Sequence, residues 1–248
     1  MKKFNLITFD ISGTLLTFRK SIGEIYSDAA KHFGITVDPA IITKRVDRHM
    51  SEMCQQHPNY GLNSGLGWQN WWRMVVSKSF DSIEINGQHS KYLAQLSDHL
   101  IKNFSNKNEY KLMEGSVDIL EFLEKKGVHT GVISNFDPRL HTILEDIGIR
   151  KYFTFVITSY EAGFLKPDER IFKEAEKKYI DLGNKFDRST TVHIGDSLKY
   201  DYCGARNAGW SAILIDPSKE KNCAERNKEY SKCQSTITID HHVMGDQR

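Results

Sequence analysis

Cysteine is scarce. The 248-residue chain has four, Cys54, Cys203, Cys223 and Cys233, and no C-x-x-C pair. That scarcity speaks against a zinc site and a dense disulfide framework. A reducing, intracellular compartment is the default, cytoplasm first, with nucleus and mitochondrion left open. An excess of one charge is missing too: 34 Lys and Arg face 32 Asp and Glu, a formal net charge of +2. No strong field follows, so neither nucleic acid nor an acidic membrane is the expected partner. Apolar runs fall far short of the roughly 20 residues that span a bilayer. The first run, Phe4 to Phe9, meets Asp10 with no small-residue cleavage site behind it, so no signal peptide is expected. Internal repeats and low-complexity tracts are also lacking. What remains is 39% hydrophobic and 27% charged, an ordinary globular balance, in a chain long enough for one large domain or two small ones.

The chain changes character twice. Phe4-Asn5-Leu6-Ile7-Thr8-Phe9 is short and β-prone and stops at Asp10, which predicts a buried strand and a polar turn. Residues 21–107 carry helical spacing instead: Ile22, Ile25, Tyr26, Ala29 and Phe33, then Ile42, Val46 and Met50, then Trp68 to Val76, then Leu93 to Phe104. Between the second and third helices, Pro58 to Gly67 is a Gly- and Asn-rich loop. From residue 112 strands and helices alternate, with strands at 130–133, 153–157, 191–195 and 211–215. Alternation of this kind predicts an α/β fold with a parallel sheet covered on both faces. Residues 217–248 are polar and weakly patterned and read as a loosely attached tail.

Sites in such sheets lie beyond the carboxyl ends of the strands, where Asp10, Ser134 and Asp196 fall. Asp10 supplies a carboxylate for nucleophilic attack or metal binding; Gly13 permits a tight turn, and Thr14 can hold it by hydrogen bonds. Ser134-Asn135 offers a hydroxyl and backbone N–H groups at an expected helix N-terminus, a phosphate-binding arrangement. Lys166, before Pro167-Asp168, supplies a cation. Asp196 and Asp201 offer hard oxygen ligands of the kind Mg²⁺ takes. Singly, each of these also reads as a turn, cap or surface residue.

Together, in this order, they resemble the haloacid dehalogenase-like hydrolase superfamily over roughly residues 4–216. Pro58-Asn59-Tyr60-Gly61-Leu62, Trp71-Trp72 and Ser134-Asn135-Phe136-Asp137 narrow the likeness to one branch of it. The resemblance implies a Rossmann-like core over 1–17 and 109–248, with an inserted α-helical cap of the C1 type over 18–108. It implies Asp10, Ser134 and Lys166 as catalytic residues, and Thr14, Ser134, Asn135 and Lys166 as phosphate contacts. Asp10, the Ser12 carbonyl, Asp196 and Asp201 would hold Mg²⁺. The substrate class implied is a small phosphorylated or otherwise anionic metabolite.

One position departs from the pattern. Phosphatases of this superfamily carry a second aspartate two residues after the nucleophile, to protonate the leaving group and then activate water. Here that position is Ser12, whose hydroxyl has no useful pKa near 7. Three outcomes stay open. The chain is a Mg²⁺-dependent phosphatase working through an aspartyl-phosphate on Asp10, weak or atypical unless a residue such as His57 substitutes. Alternatively it is a metal-free 2-haloacid dehalogenase, whose halide leaves without a proton, although no cap arginine (Arg45, Arg48 or Arg73) is assignable to a substrate carboxylate. Or it is a catalytically impaired binding protein with a protein partner, for which Trp68, Trp71 and Trp72 offer a surface if they are not cap core.

Overall fold

β-Branched and aromatic runs build the central sheet. The computed structural model describes residues 3–81 and 89–215, with side chains described from Tyr92 in the second segment. The tail expected over 217–248 lies outside the described residues. Strands β1 (Leu6–Phe9), β4 (His129–Ser134), β5 (Phe155–Thr158), β6 (Thr191–Gly195) and β7 (Ser211–Leu214) form one parallel sheet in the order β5-β4-β1-β6-β7. β1 lies centrally, with the chain running outward to either side of it. The crevice for a ligand in such a sheet opens where the order reverses, at the carboxyl ends of β4, β1 and β6.

Both faces are covered, as a wholly parallel sheet requires. Ile7, Phe9, Val132 and Val156 point to one side, against Leu120 and Leu123 of α5 (Ser116–Lys125) and Leu140, Ile143 and Leu144 of α6 (Arg139–Ile147). Leu6, Ile133, Phe155 and Ile157 point to the other, against α8 (Glu169–Asp181), α9 (Gly204–Asn207) and Trp210. The period of two along each strand assigns consecutive residues to opposite cores.

Between β1 and β4 the chain leaves the sheet through a short antiparallel pair, β2 (Leu16–Phe18) with β3 (Tyr110–Leu112). No strand is predicted at either place, because three residues carry no readable period. The pair encloses four helices: α1 (Ile22–Lys31), α2 (Pro39–Gln56), α3 (Trp68–Phe80) and α4 (His89–Asn103). Ser21 and Glu24 close a reciprocal capping box on α1, and Asp38 caps α2 ahead of Pro39. The four share an apolar cluster of their own, including Tyr26, Ile42, Trp71, Val75 and Phe80.

This helical block docks on the loop after β4. The loop is where a helix start at Ser134-Asn135 is expected, but α6 begins only at Arg139. In the intervening turn, the wholly buried Asp137 accepts from Arg139 N, Nε and a guanidinium nitrogen, and from Trp72 Nε1 of α3 at 2.9 Å. The Arg139 guanidinium lies over both Trp68 and Trp72, 5.2 and 5.1 Å from their ring centres. Trp71 is core at 1% exposure, and Trp68 and Trp72 face Arg139. Of the two readings weighed from sequence, Trp71 fits cap core, and Trp68 and Trp72 pack on Arg139.

Breaking one half of a buried ion pair strands the other charge away from water, at a cost of about 3–5 kcal/mol. Arg139→Leu is therefore expected to lower unfolding stability in urea by that amount, and pairing it with Asp137→Asn is expected to recover part of the loss. A single-variant loss under about 1 kcal/mol would contradict a buried, specifically paired Asp137.

Candidate active site

Asp10 continues β1 by one residue, its N–H donating to Ile194 O at 2.8 Å. The chain then turns sharply. Leu15 and Leu16 N–H both return to Ile11 O, and Gly13 N–H donates to Leu16 O. Gly13 has φ +80°, and a Cβ there would stand 2.3 Å from Asp196 Oδ2. Only glycine gives both the left-handed backbone and the close approach of the Asp196 carboxylate. Gly195, with no left-handed backbone, allows the same close approach of Asp201, whose Cγ would lie 2.2 Å from a Cβ at that position.

Ser134, the last residue of β4, and Lys166, in the loop leading to α8, converge on one oxygen of Asp10. Ser134 Oγ donates to Oδ1 at 3.0 Å and Lys166 Nζ at 2.7 Å. The other oxygen, Oδ2, accepts no hydrogen bond from the described residues. Lys166 is 2% exposed, and its ammonium also donates to Ile133 O at 2.7 Å and Asp201 Oδ1 at 2.5 Å. All three protons of the ammonium are used. Burial opposes its charge, but Asp10 and Asp201 outweigh that and raise its pKa above the ordinary lysine value.

Asp201 sits on a π-helical turn, Leu198–Cys203, and accepts from three donors: Lys166, His193 Nε2 at 3.1 Å, and Ser197 N–H at 2.9 Å on Oδ2. Burial resists its ionisation, yet the His193 hydrogen bond and the lysine charge hold it well below the usual carboxylate range. His193 is wholly buried, which lowers its pKa and keeps it neutral. Its Nε2 donates to the carboxylate, so Nδ1 accepts from the Thr8 hydroxyl at 2.9 Å. Sequence gives little notice of His193: in a buried strand it reads as a packing residue.

Oxygens of Asp10, Asp196 and Asp201 lie within 4.8 Å of one another. Burial and then the two neighbouring carboxylates push Asp196 up to about 6. Three carboxylates gathered around one ammonium leave a negative surplus, and every donor is a hard oxygen, so the set fits a small divalent cation. Asp10, Asp196 and Asp201 each offer it an oxygen; Asp201 Oδ1 already accepts from Lys166 and His193, and Oδ2 from Ser197 N–H alone. Ser12 is exposed and brings no acid to the site.

The side chains of Thr14, Asn135 and His57 complete the placement of the residues named from sequence. The Thr14 hydroxyl holds no turn; it is buried without a partner among the described residues, and backbone bonds to Ile11 O hold the turn instead. The Asn135 side chain is committed to the Lys166 backbone: Nδ2 donates to Lys166 O at 3.0 Å and Oδ1 accepts from Lys166 N–H at 2.7 Å. His57 bonds Ser64 Oγ within the helical block at 2.9 Å.

The helical block reaches this loop too. Tyr60 hydroxyl donates to Asn135 O at 2.9 Å, and Asn59 Nδ2 to Ser159 O at 2.7 Å. Asn59 and Tyr60 both adopt positive φ, 51° and 55°, and Asn59 Oδ1 is buried without a partner among the described residues. Strain of this kind, of order 1–3 kcal/mol per residue, persists only where surrounding contacts enforce it.

A family model for haloacid dehalogenase-like hydrolases matches residues 4–209. Haloacid dehalogenase-like hydrolase domain-containing protein 3 of Bos taurus is 35% identical over 213 residues, 86% of this chain and 82% of that protein. Two solved structures share the fold at lower identity. The putative HAD-hydrolase YfnB of Bacillus subtilis, bound to magnesium, superposes with TM-score 0.64 and 17% identity over 88% of this chain and 92% of its own. A 2-haloacid dehalogenase from Pseudomonas syringae gives 0.60 and 21% over 95% and 99%. Among the described residues, no helix is long and apolar enough to cross a membrane. A match from residue 4 to residue 209, a range that includes Asp10, Ser134, Lys166 and Asp196, makes the chain a member of the haloacid dehalogenase-like hydrolase family.

Proposed function

We propose that the protein is a Mg²⁺-dependent hydrolase of phosphate monoesters, with Asp10 as nucleophile. One observation carries this: Asp10 Oδ1 is fixed by Ser134 and Lys166 while Oδ2 has no described donor and shares its surroundings with Asp196. A carboxylate held by one oxygen presents the other for attack. Mg²⁺ bound by Asp10, Asp196 and the Ser12 carbonyl would offset the carboxylate charge that otherwise repels a phosphate. Asp201 also orients Lys166 through Oδ1, and its Oδ2, which takes a single hydrogen bond, keeps acceptor capacity for the cation.

In the first step Asp10 Oδ2 forms a bond to phosphorus as the bond to the leaving oxygen breaks, and the electron pair departs on that oxygen. Lys166 and Ser134 keep Oδ1 in place and neutralise charge nearby. Water then attacks the phosphorus of the aspartyl-phosphate, releasing phosphate and restoring Asp10. Both steps lack a carboxyl group at position 12, so the leaving group departs, and water attacks, without an acid or base from that position. Leaving groups that are already stable anions suit such a site.

A dehalogenase needs a cation for its substrate's carboxylate. The cap arginines weighed for that task are engaged elsewhere: Arg45 with the carbonyls of Ser79 and Asp81, Arg48 with His49 and Glu52, and Arg73 with Asp98 and Asn70. Arg139 is bound to Asp137. The phosphatase-type assignment is therefore the better supported.

Activity tests it directly. Aryl phosphates such as p-nitrophenyl phosphate are expected to turn over far faster than alkyl phosphates, and Asp10→Asn to reduce release to background. Ser12→Asp is expected to raise alkyl-phosphate hydrolysis, by up to the about 10²–10⁴-fold that a general acid contributes. No rise with a folded variant would contradict the missing-acid account.

A pH dependence follows from Asp196. Its folded-state pKa, about 6, exceeds the ordinary 3.8, so its contribution to metal-free stability is complete below 3.8 and is lost as pH rises through about 6. A cation that needs the ionised form restores the loss. Mg²⁺ is expected to raise the melting temperature clearly at pH 7.5 and little at pH 5. Equal shifts at both pH values would contradict Asp196 as a ligand.

A further inference from the structure

We infer that Tyr60, on the helical block, is a positioning residue for Lys166, acting through Asn135. The inference rests on the proposal that Lys166 braces Asp10. Its path is a chain of hydrogen bonds. Tyr60 hydroxyl donates to Asn135 O at 2.9 Å. The Asn135 side chain grips Lys166 at both its N–H and its carbonyl, 2.7 and 3.0 Å. Lys166 Nζ then reaches Asp10 and Asp201. Ser134, whose hydroxyl is the second donor to Asp10, immediately precedes Asn135 in the chain.

Tyr60 is built to make this bond and to keep it. Its φ of +55° is one that an aromatic residue rarely adopts. It is held there by Asn59 on Ser159 O and by the Trp71 and Trp72 rings, 5.3 and 6.2 Å from its own. Burial pushes the phenol far above its ordinary range, so the hydroxyl stays a donor. The consequence is that the lysine and serine bracing Asp10 are fully aligned only while the helical block is docked.

The other bonds between the block and the core give a control. Trp72 Nε1 also crosses to the core, but it ends on Asp137, a residue with no described bond to Lys166. A loosened block would affect Tyr60→Phe and Trp72→Phe alike; a specific link would not.

Two readouts on the full chain decide. In kinetics with p-nitrophenyl phosphate and Mg²⁺, Tyr60→Phe is expected to lower kcat about 2- to 12-fold, the worth of one neutral hydrogen bond, with KM nearly unchanged. Combination with Asn135→Asp, which keeps the acceptor for Lys166 N–H and loses the donor, is expected to be non-additive. In hydrogen exchange, Tyr60→Phe is expected to speed exchange of the Lys166 N–H, while Trp72→Phe does so much less at comparable melting temperature. Should Tyr60→Phe not fold, Asn59→Ala, which releases the segment that presents Tyr60, must still speed that exchange. Unchanged Lys166 exchange, or equal effects of Tyr60→Phe and Trp72→Phe, would overturn the link. Exchange does not require turnover, so it judges the link even if wild-type protein releases no phosphate, a result that would sink the proposed reaction instead.

Discussion

A buried ammonium holds this site together. Lys166 Nζ is almost wholly withdrawn from water and keeps its charge because Asp10, Asp201 and a backbone carbonyl take its three protons. An unpaired charge in that position would be strongly unfavourable. The same bonds fix where the two carboxylates stand. Asp201 is further pinned from below by neutral His193, itself held by Thr8, so a polar column runs beneath the crevice. The surplus negative charge then falls on Asp196 and on the outer oxygen of Asp10. That surplus is what makes a divalent cation and a phosphate natural occupants.

Topology brings these groups together. Residues 10, 134 and 196 are far apart in sequence, but the order β5-β4-β1-β6-β7 sets the ends of β4, β1 and β6 side by side. Glycines at 13 and 195 then remove the side-chain bulk that would keep the Asp196 and Asp201 carboxylates away. The helical block closes on the same loop that follows Ser134, through Trp72, Arg139 and Tyr60. Chemistry and docking thus share one segment, residues 134–139. Hydrogen bonds run from the helical block through Asn135 and Lys166 to the Asp10 carboxylate.

Much of this was legible beforehand because the signals were periodic or punctuating. Alternating strands and helices disclosed the parallel sheet, and polar residues at strand ends disclosed Asp10, Ser134 and Asp196. Short elements escaped, since β2 and β3 have three residues each. The one-turn helix α7 (Ser159–Ala162) also escaped, although Thr158 is an N-cap residue by type and its hydroxyl accepts from Glu161 N–H. Roles that depend on distant partners were beyond reach. Nothing in the sequence says that the Asn135 side chain folds against the Lys166 backbone, or that the Thr14 hydroxyl is buried without a partner among the described residues. Asp137 and Arg139, two residues apart, look like an ordinary turn and become a buried pair only when Trp68 and Trp72 cover them. Periodicity reports burial; it does not report which polar group a buried side chain will meet.

The covalent step is the claim most open to direct measurement. Without a base at position 12, hydrolysis of the aspartyl-phosphate is the slower half, so the intermediate should accumulate during turnover of p-nitrophenyl phosphate. Acid quenching followed by borohydride reduction converts an aspartyl-phosphate to homoserine, which peptide mass spectrometry locates. The account predicts homoserine at position 10, only when Mg²⁺ and substrate are both present. Steady phosphate release with an unmodified Asp10 peptide, or with the modification at another carboxylate, would contradict it.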